Sequence, residues 1–275
     1  MATHTVTTLA NLIPNLWSRR VRAALESKLI AGKRVLRLDD EVSKGKTLYV
    51  PAIANISATS VSAGGSYTST QNTEGVTTLN INQHYVTAIS VDDIAKIQAS
   101  YDLFSLYSGK LVYGVALQFE TGVLDLYSGL SQQVGASGVP FADDPYLNCI
   151  QFLDESDSDE EDRTFMARPA SKRTISKLDK FVDVSKMGMV GKGPVVTGLF
   201  GEIYGIPVFF SNVVPSSAGI HNLVFWKEAF VAGIQKDISV ENFGRTGQTL
   251  TQDLVCQGIW GHAEHRDTSA VDFLT

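Results

Sequence analysis

The chain has 275 residues, of which 44% are hydrophobic and 19% charged, with a formal net charge of −6. The length exceeds the roughly 100–200 residues of an ordinary domain and predicts two lobes sharing a core or one large domain, while the acidic balance argues against general nucleic-acid binding. There is no signal pattern and no apolar run near the roughly 18 residues of a membrane helix, so the sequence reads as a soluble chain made in the cytoplasm with no membrane partner.

Residues 1–10 are Thr-rich and aperiodic. Over 11–29, Leu16, Trp17, Val21, Ala24, Leu25 and Leu29 recur at three- and four-residue steps, and Arg19, Arg20, Arg22, Glu26 and Lys28 hold much of the other face. That is an amphipathic helix, with Pro14 where a first turn starts and Ala31-Gly32 at its end. Residues 1–37 carry seven Lys and Arg and one acid, whereas 154–162 carries seven acids and no base. These two segments either pair across a subunit contact or are separately solvated.

Residues 51–90 contain one formally charged side chain, Glu74, and half of 57–78 is serine or threonine. Leu48 and Val50 alternate with polar neighbours before this stretch, and Leu79 and Ile81 do so after it, which predicts a hairpin-like arm over 45–90. Such a ribbon has too little apolar side chain to offset an ordering cost of roughly 1–2 kcal/mol per residue with a core of its own. Its backbone donors and acceptors suit another surface. The arm is therefore expected to lie on a neighbouring subunit.

Ser90 reads as an N-cap with Asp93 in the capping-box position, opening a short helix marked by Ile94, Ile97 and Tyr101. Over 101–133, Tyr107, Leu111, Val115 and Phe119, with Val112, Ala116, Val123 and Tyr127 beside them, predict one long helix. Gly109, Gly114, Gly122 and Gly129 weaken it, and either allow close packing or break it. Next are expected a loop over 134–146, a charged loop over 154–162, a strand over 163–168, a helix over 171–182 and a flexible glycine-rich stretch over 186–201. A strong strand over 206–214, an amphipathic stretch over 223–234, and strands over 250–273 interrupted near 262–268 complete an α+β plan without internal repeats.

No catalytic constellation emerges. His262 and His265 lack the i, i+4 spacing of a zinc helix and read as part of a surface turn. The acidic run lacks the glycine and terminal Glu of a calcium loop, and reads as solvated or as a weak divalent site. The glycines over 188–198 lack a Gly-Lys-Ser/Thr ending. Cys149 and Cys256 sit in no metal or redox spacing and read as free buried thiols. No cofactor, metal or enzymatic activity is expected.

The order of segments carries a resemblance. NLIPNLWSRRVRAALESKLI at 11–30 before GKTLYVP at 45–51 resembles the N-terminal arm of tailed-phage major capsid proteins. ISVDDIAKIQASYDL at 89–103 resembles the start of their spine helix. FLDESDSDEEDRTFMARPASKRTISKL at 152–178 resembles their acids-Arg-strand-proline-helix motif, and GLFGEIYGIPVFFSNVVP at 198–215 resembles their Gly-x-Ile-x-Gly strand. The chain thus resembles a major capsid protein of the Hong Kong 97 type along essentially its whole length. The resemblance implies an N-terminal arm over 1–44, an extended loop over 45–90, a peripheral domain over 91–134 and 248–275 with a spine helix, and an axial domain over 135–247. It implies self-assembly as hexamers and pentamers into an icosahedral phage head around double-stranded DNA. The implied partners are a separate scaffolding protein, a portal protein, a decoration protein and weakly held DNA, with assembly in the host cytoplasm and residence in the virion. The alternatives are an encapsulin-like compartment shell or another virion component such as a tail or decoration protein. Trp17, Arg19, Arg20, Arg22, Tyr67 and Glu74 are the candidate subunit or genome contacts. Trp17 serves equally well as a core or an interface anchor, and the arginines are either a solvated face or offset phosphate charge without reading sequence.

Overall fold

The computed structural model describes residues 29–52, 56–67, 69, 75–92, 103–178, 201–243 and 251–275. The helices expected over 11–29 and near 94–101, most of the glycine-rich stretch, and Trp17, Arg19, Arg20, Arg22 and Glu74 lie outside them. The described elements are β1 (Leu36–Arg37), β2 (Thr47–Ala52), β3 (Gly75–Asn80), β4 (Gln83–Asp92), α1 (Leu103–Leu124), β5 (Gln133–Gly135), α2 (Asp143–Glu155), β6 (Arg163–Ala167), α3 (Pro169–Ile175), β7 (Glu202–Ile203), β8 (Ile206–Phe210), β9 (His221–Trp226), β10 (Phe230–Phe243), β11 (Thr251–Glu264) and β12 (Ala270–Leu274).

The strands form three sheets: β1-β10-β11-β4, β5-β12-β9-β6-β8-β7, and the two-stranded ribbon β2-β3. The α+β class expected from the sequence is the observed one. β6 is buried at all five positions, and its alternation explains how. Phe165 and Ala167 point to one core and Met166 to another; in β9 Val224 joins the first, Leu223 and Phe225 the second. Successive side chains point to opposite faces, so the six-stranded sheet is covered on both. One face packs on Tyr146, Cys149 and Leu153 of α2 and Ile175 of α3. The other meets Val115, Phe119 and Val123 of α1, with Trp260 of β11 beneath them. Two sheets thus share the long helix.

The long helix is shorter than the expected 101–133. At about 1.5 Å per residue its 22 residues span about 33 Å, and it tightens into a 3₁₀ turn over Asp125–Gly129. The chain then leaves to form β5, drawn into parallel pairing with β12. Gly122 lies inside the helix because the sheet comes close: a Cβ there would sit 2.4 Å from Cε1 of His262.

Several other expectations are corrected. Ser90 is not an N-cap; it lies within β4, opposite Asp253 of β11. The helix α2 was unforeseen, although Tyr146, Cys149 and Leu153 form a buried stripe at three- and four-residue steps after Asp143 and Asp144 in the first turn. The helix expected over 171–182 begins at Pro169 and ends at Ile175. The strand expected over 206–214 ends at Phe210, and the amphipathic stretch over 223–234 is two strands joined by a 3₁₀ turn. His262 belongs to β11 rather than to a surface turn.

Strand pairing joins segments far apart in sequence: β4 and β10 belong to the four-stranded sheet, and β12 to the six-stranded one. Residues 29–44 are no free arm, since Ala31, Val35 and Val42 are buried. In each case pairing with a strand distant in sequence decided membership.

The acidic run wraps a cation. Arg163, only 4% exposed, donates to Asp154 at 2.6 Å, to the Ser158 carbonyl at 2.6 Å and to the Asp159 carbonyl at 3.2 Å. A buried guanidinium must fill its donors, so the turn is pinned instead of being a freely solvated loop.

Candidate subunit interface

The ribbon β2-β3 runs in antiparallel register from Thr47 opposite Asn80 to Ala52 opposite Gly75. Its base is anchored. Leu79 and Leu48 pack with Val42, Ile81, Val231 and Ile259, Ile81 donates its N–H to the Lys46 carbonyl at 2.8 Å, and His265 Nδ1 lies 2.9 Å from the Thr77 hydroxyl. The approach to the body is close enough that a Cβ at Gly261 would meet the Asn80 carbonyl oxygen at 2.2 Å.

Beyond that base the ribbon projects. On its outer face Tyr49 is 67% and Val76 58% exposed, and further out Ile56 is 71% and Tyr67 84% exposed. Every described residue from 56 to 67 is exposed. Gly64, at φ +81°, and a bond from the Gly65 N–H to the Ser62 carbonyl turn the chain here. Large apolar side chains this exposed are of the kind that mark an interaction surface. Of the candidate contacts, the described residues place Tyr67 on this projection. Sequence reasoning missed Tyr49, Ile56 and Val76; for Tyr49 and Val76 the outward phase of β2 and β3, opposite the partly buried Leu48 and the buried Leu79, is the signal that would have found them.

A second surface follows the long edge of the four-stranded sheet. β4 pairs with β11 over ten residues, and no strand among the described residues covers its other edge. Tyr85 of β4 stacks on Trp260 at 5.3 Å while remaining partly exposed. An uncovered edge of this length is a template for strand addition.

The N-terminal segment joins the body at one buried carboxylate. Glu120 of α1 accepts the backbone N–H groups of Ile30, Ala31 and Gly32, the last two at 2.6 and 3.0 Å. Arg37 donates to the Gly32 carbonyl at 3.2 Å and to Asp39 at 2.7 Å, with its guanidinium over Phe119. Asp39 in turn accepts the Ile234 N–H at 2.8 Å. Residues 30–39 are thereby fastened to α1 and β10, and whatever precedes them leaves from a fixed point.

The remaining chemistry is structural. Burial pushes the Cys149 thiol up to about 12, which leaves it protonated. His262 faces α1, and His265 meets the ribbon, so the two rings do not converge on a ligand. Burial lowers the affinity of both for a proton; Asp125 partly opposes this at His262, and at His265 Arg266 reinforces it while Glu228 opposes it. No group of three metal-ligating side chains occurs among the described residues.

No protein-family model and no curated protein matches the sequence. Solved structures do match the fold. A chain of Mycobacterium phage Che8 superposes with a TM-score of 0.83 at 17% identity, over 96% of this chain and 97% of that one. A chain from the capsid of cyanophage P-SCSP1u gives 0.81 at 17% identity, over 100% and 96%. One from the capsid of a native GTA particle gives 0.76 at 10% identity, over 99% of each. At such identities the likeness is one of fold alone.

Proposed function

We propose that the chain is a major capsid protein, the repeating subunit of an icosahedral phage head that encloses double-stranded DNA, built from hexamers and pentamers. One observation carries this reading: the outer half of the β2-β3 ribbon exposes Tyr49, Ile56, Tyr67 and Val76 with nothing among the described residues of its own chain to cover them. A neighbouring copy covers them in a shell. The similarity in fold to chains from the capsids of cyanophage P-SCSP1u and of a native GTA particle, along 99% or more of this sequence, supports the same reading.

Each contact need be only modest, because many weak contacts made together render a closed shell stable. Identical chains in non-identical positions need parts that bend. The ribbon beyond Leu48 and Leu79 is such a part, since it leaves the body from an anchored root. The basic residues 19–22 contact a neighbour or offset phosphate charge. Scaffolding, portal and decoration proteins are the partners of this reading, the virion its site and the host cytoplasm the place of assembly. Electron microscopy of the full chain, expressed with and without a scaffolding partner, tests it. Closed particles of uniform diameter are expected; monomers alone, at high concentration and with the scaffold present, overturn it. A cargo enzyme inside such particles would instead mark a compartment shell.

A further inference from the structure

An open groove of about 700 Å³ lies between the loop around 138–141 and α3. Val139, Pro140 and Ile220 give it an apolar floor, and Arg173 and Lys177, one helical turn apart, line one wall. Both cations are exposed, and neither is ion-paired among the described residues.

The complementary charge sits at the other end of the same sheet. The acidic turn precedes Arg163, the first residue of β6, whereas α3 follows Ala167, its last. Strand registers agree. Arg163 is opposite Trp226 at the far end of β9, while Ile220 of the groove adjoins His221 at its start. Five residues at about 3.3 Å each put roughly 16 Å of packed sheet between turn and groove. Arg163 pins the turn and keeps it from swinging back. Asp154 is taken up by Arg163 and Asp162 lies 3.8 Å from Lys227. Asp157, Asp159, Glu160 and Glu161 remain exposed, with no basic partner among the described residues.

We propose that copies of this chain join head to tail around each ring by seating the acidic turn at 157–161 of one copy in the Arg173–Lys177 groove of the next. This rests on the shell reading and names the contact that builds its rings. A second copy is the favoured occupant because each chain carries both halves of the match at opposite ends. A head-to-tail contact pairs these unlike surfaces and closes into a ring when the rotation permits. The turn is already rigid, so little ordering cost attaches to seating it.

Charge reversal tests this with the full chain, under the conditions in which the wild type forms particles. Asp159→Lys with Glu160→Lys and Glu161→Lys, which turns the segment from net −4 to net +2, and separately Arg173→Glu with Lys177→Glu, are each expected to raise the concentration for half-assembly by about tenfold or more. All five substitutions in one chain should restore assembly, because every junction is then reversed together. A mixture of the two variants should close six-membered rings but not five-membered ones, since only alternating junctions attract. Unchanged thermal melts confirm folding. The contact is overturned if both reversals assemble like wild type, if the combined chain stays impaired, if the mixture closes odd rings, or if reversing Arg19, Arg20 and Arg22 rescues the acidic-turn variant instead. Wild type that forms no particle sinks the shell reading and this contact with it; wild-type particles indifferent to the reversals sink the contact alone.

Discussion

The carboxylate of Glu120, near the C-terminal end of α1, accepts the backbone N–H of Ala31 at 2.6 Å across a separation of 89 residues. The flanking amides of Ile30 and Gly32 share the same carboxylate, so one buried acid holds the root of the N-terminal segment against the long helix. Glu120→Ala leaves three amides without that acceptor. Each buried unsatisfied donor costs about 1–3 kcal/mol. We expect a loss of about 3 kcal/mol in urea unfolding and faster proteolysis before residue 37. Glu120→Gln, which keeps one acceptor oxygen, should recover part of the loss. Unfolding unchanged by Glu120→Ala would remove this anchor from the account.

Two glycines of the same helix should respond with opposite sign. At Gly122 a Cβ would press on the His262 ring at 2.4 Å, and Gly122→Ala should destabilise by about 1–3 kcal/mol. At Gly109 nothing among the described residues lies within 4 Å of an added Cβ, and Gly109→Ala should stabilise by up to about 1 kcal/mol through helix propensity alone. Denaturation of the two variants side by side decides it; the same sign for both would mean that packing does not control these positions.

Arg163 is the cation around which the acidic turn is built. Arg163→Ala removes the donors that satisfy the Ser158 and Asp159 carbonyls and the partner of Asp154. Breaking a buried pair on one side is costly, about 3 kcal/mol. Asp154 is itself half exposed, so Asp154→Asn should cost less than about 1 kcal/mol. Thermal melts that rank the two variants the other way would contradict this assignment.

The projecting ribbon predicts a separation of stability from assembly. Tyr67→Ser and Tyr49→Ser change exposed side chains, so unfolding of the monomer should shift by less than about 0.5 kcal/mol. Particle yield by sedimentation should nevertheless fall. A large loss of monomer stability would show that these rings pack on their own body.

His262 makes stability depend on pH in a stated direction. Burial depresses its folded-state affinity for a proton, against a smaller opposing effect of Asp125. The unfolded chain then binds the proton more tightly, so the contribution is complete above about pH 6.5 and is lost as pH falls below that value. Burial raises Asp125 and Glu264, and the charge and hydrogen bond of Asp267 add to this at Glu264, which gives the opposite slope in the more acidic range. His262→Gln should therefore flatten the decline in unfolding free energy between about pH 7 and pH 5. An unchanged slope would show that other groups set it.

The α+β class, the paired strands either side of the uncharged stretch, the strand at 163–167 followed by a proline-led helix, and the free cysteines were all legible in order and pattern, because each depends on local alternation or turn chemistry. Periodicity does not record what a residue meets across the fold. Ser90 reads as a cap until β11 pairs with it, residues 30–39 read as arm until Glu120 fastens them, and 270–274 joins the six-stranded sheet through β9 and β5. Even α2, whose stripe is present in the residues themselves, was obscured by the acids that follow it. The amino-acid order alone thus predicted a projecting ribbon, since a polar, uncharged stretch has too little apolar side chain to fold around a core of its own. Which side chains it offers, and which ends of the body carry opposite charge, was settled only by the packing of strands far apart in sequence, because burial and register are properties of that packing.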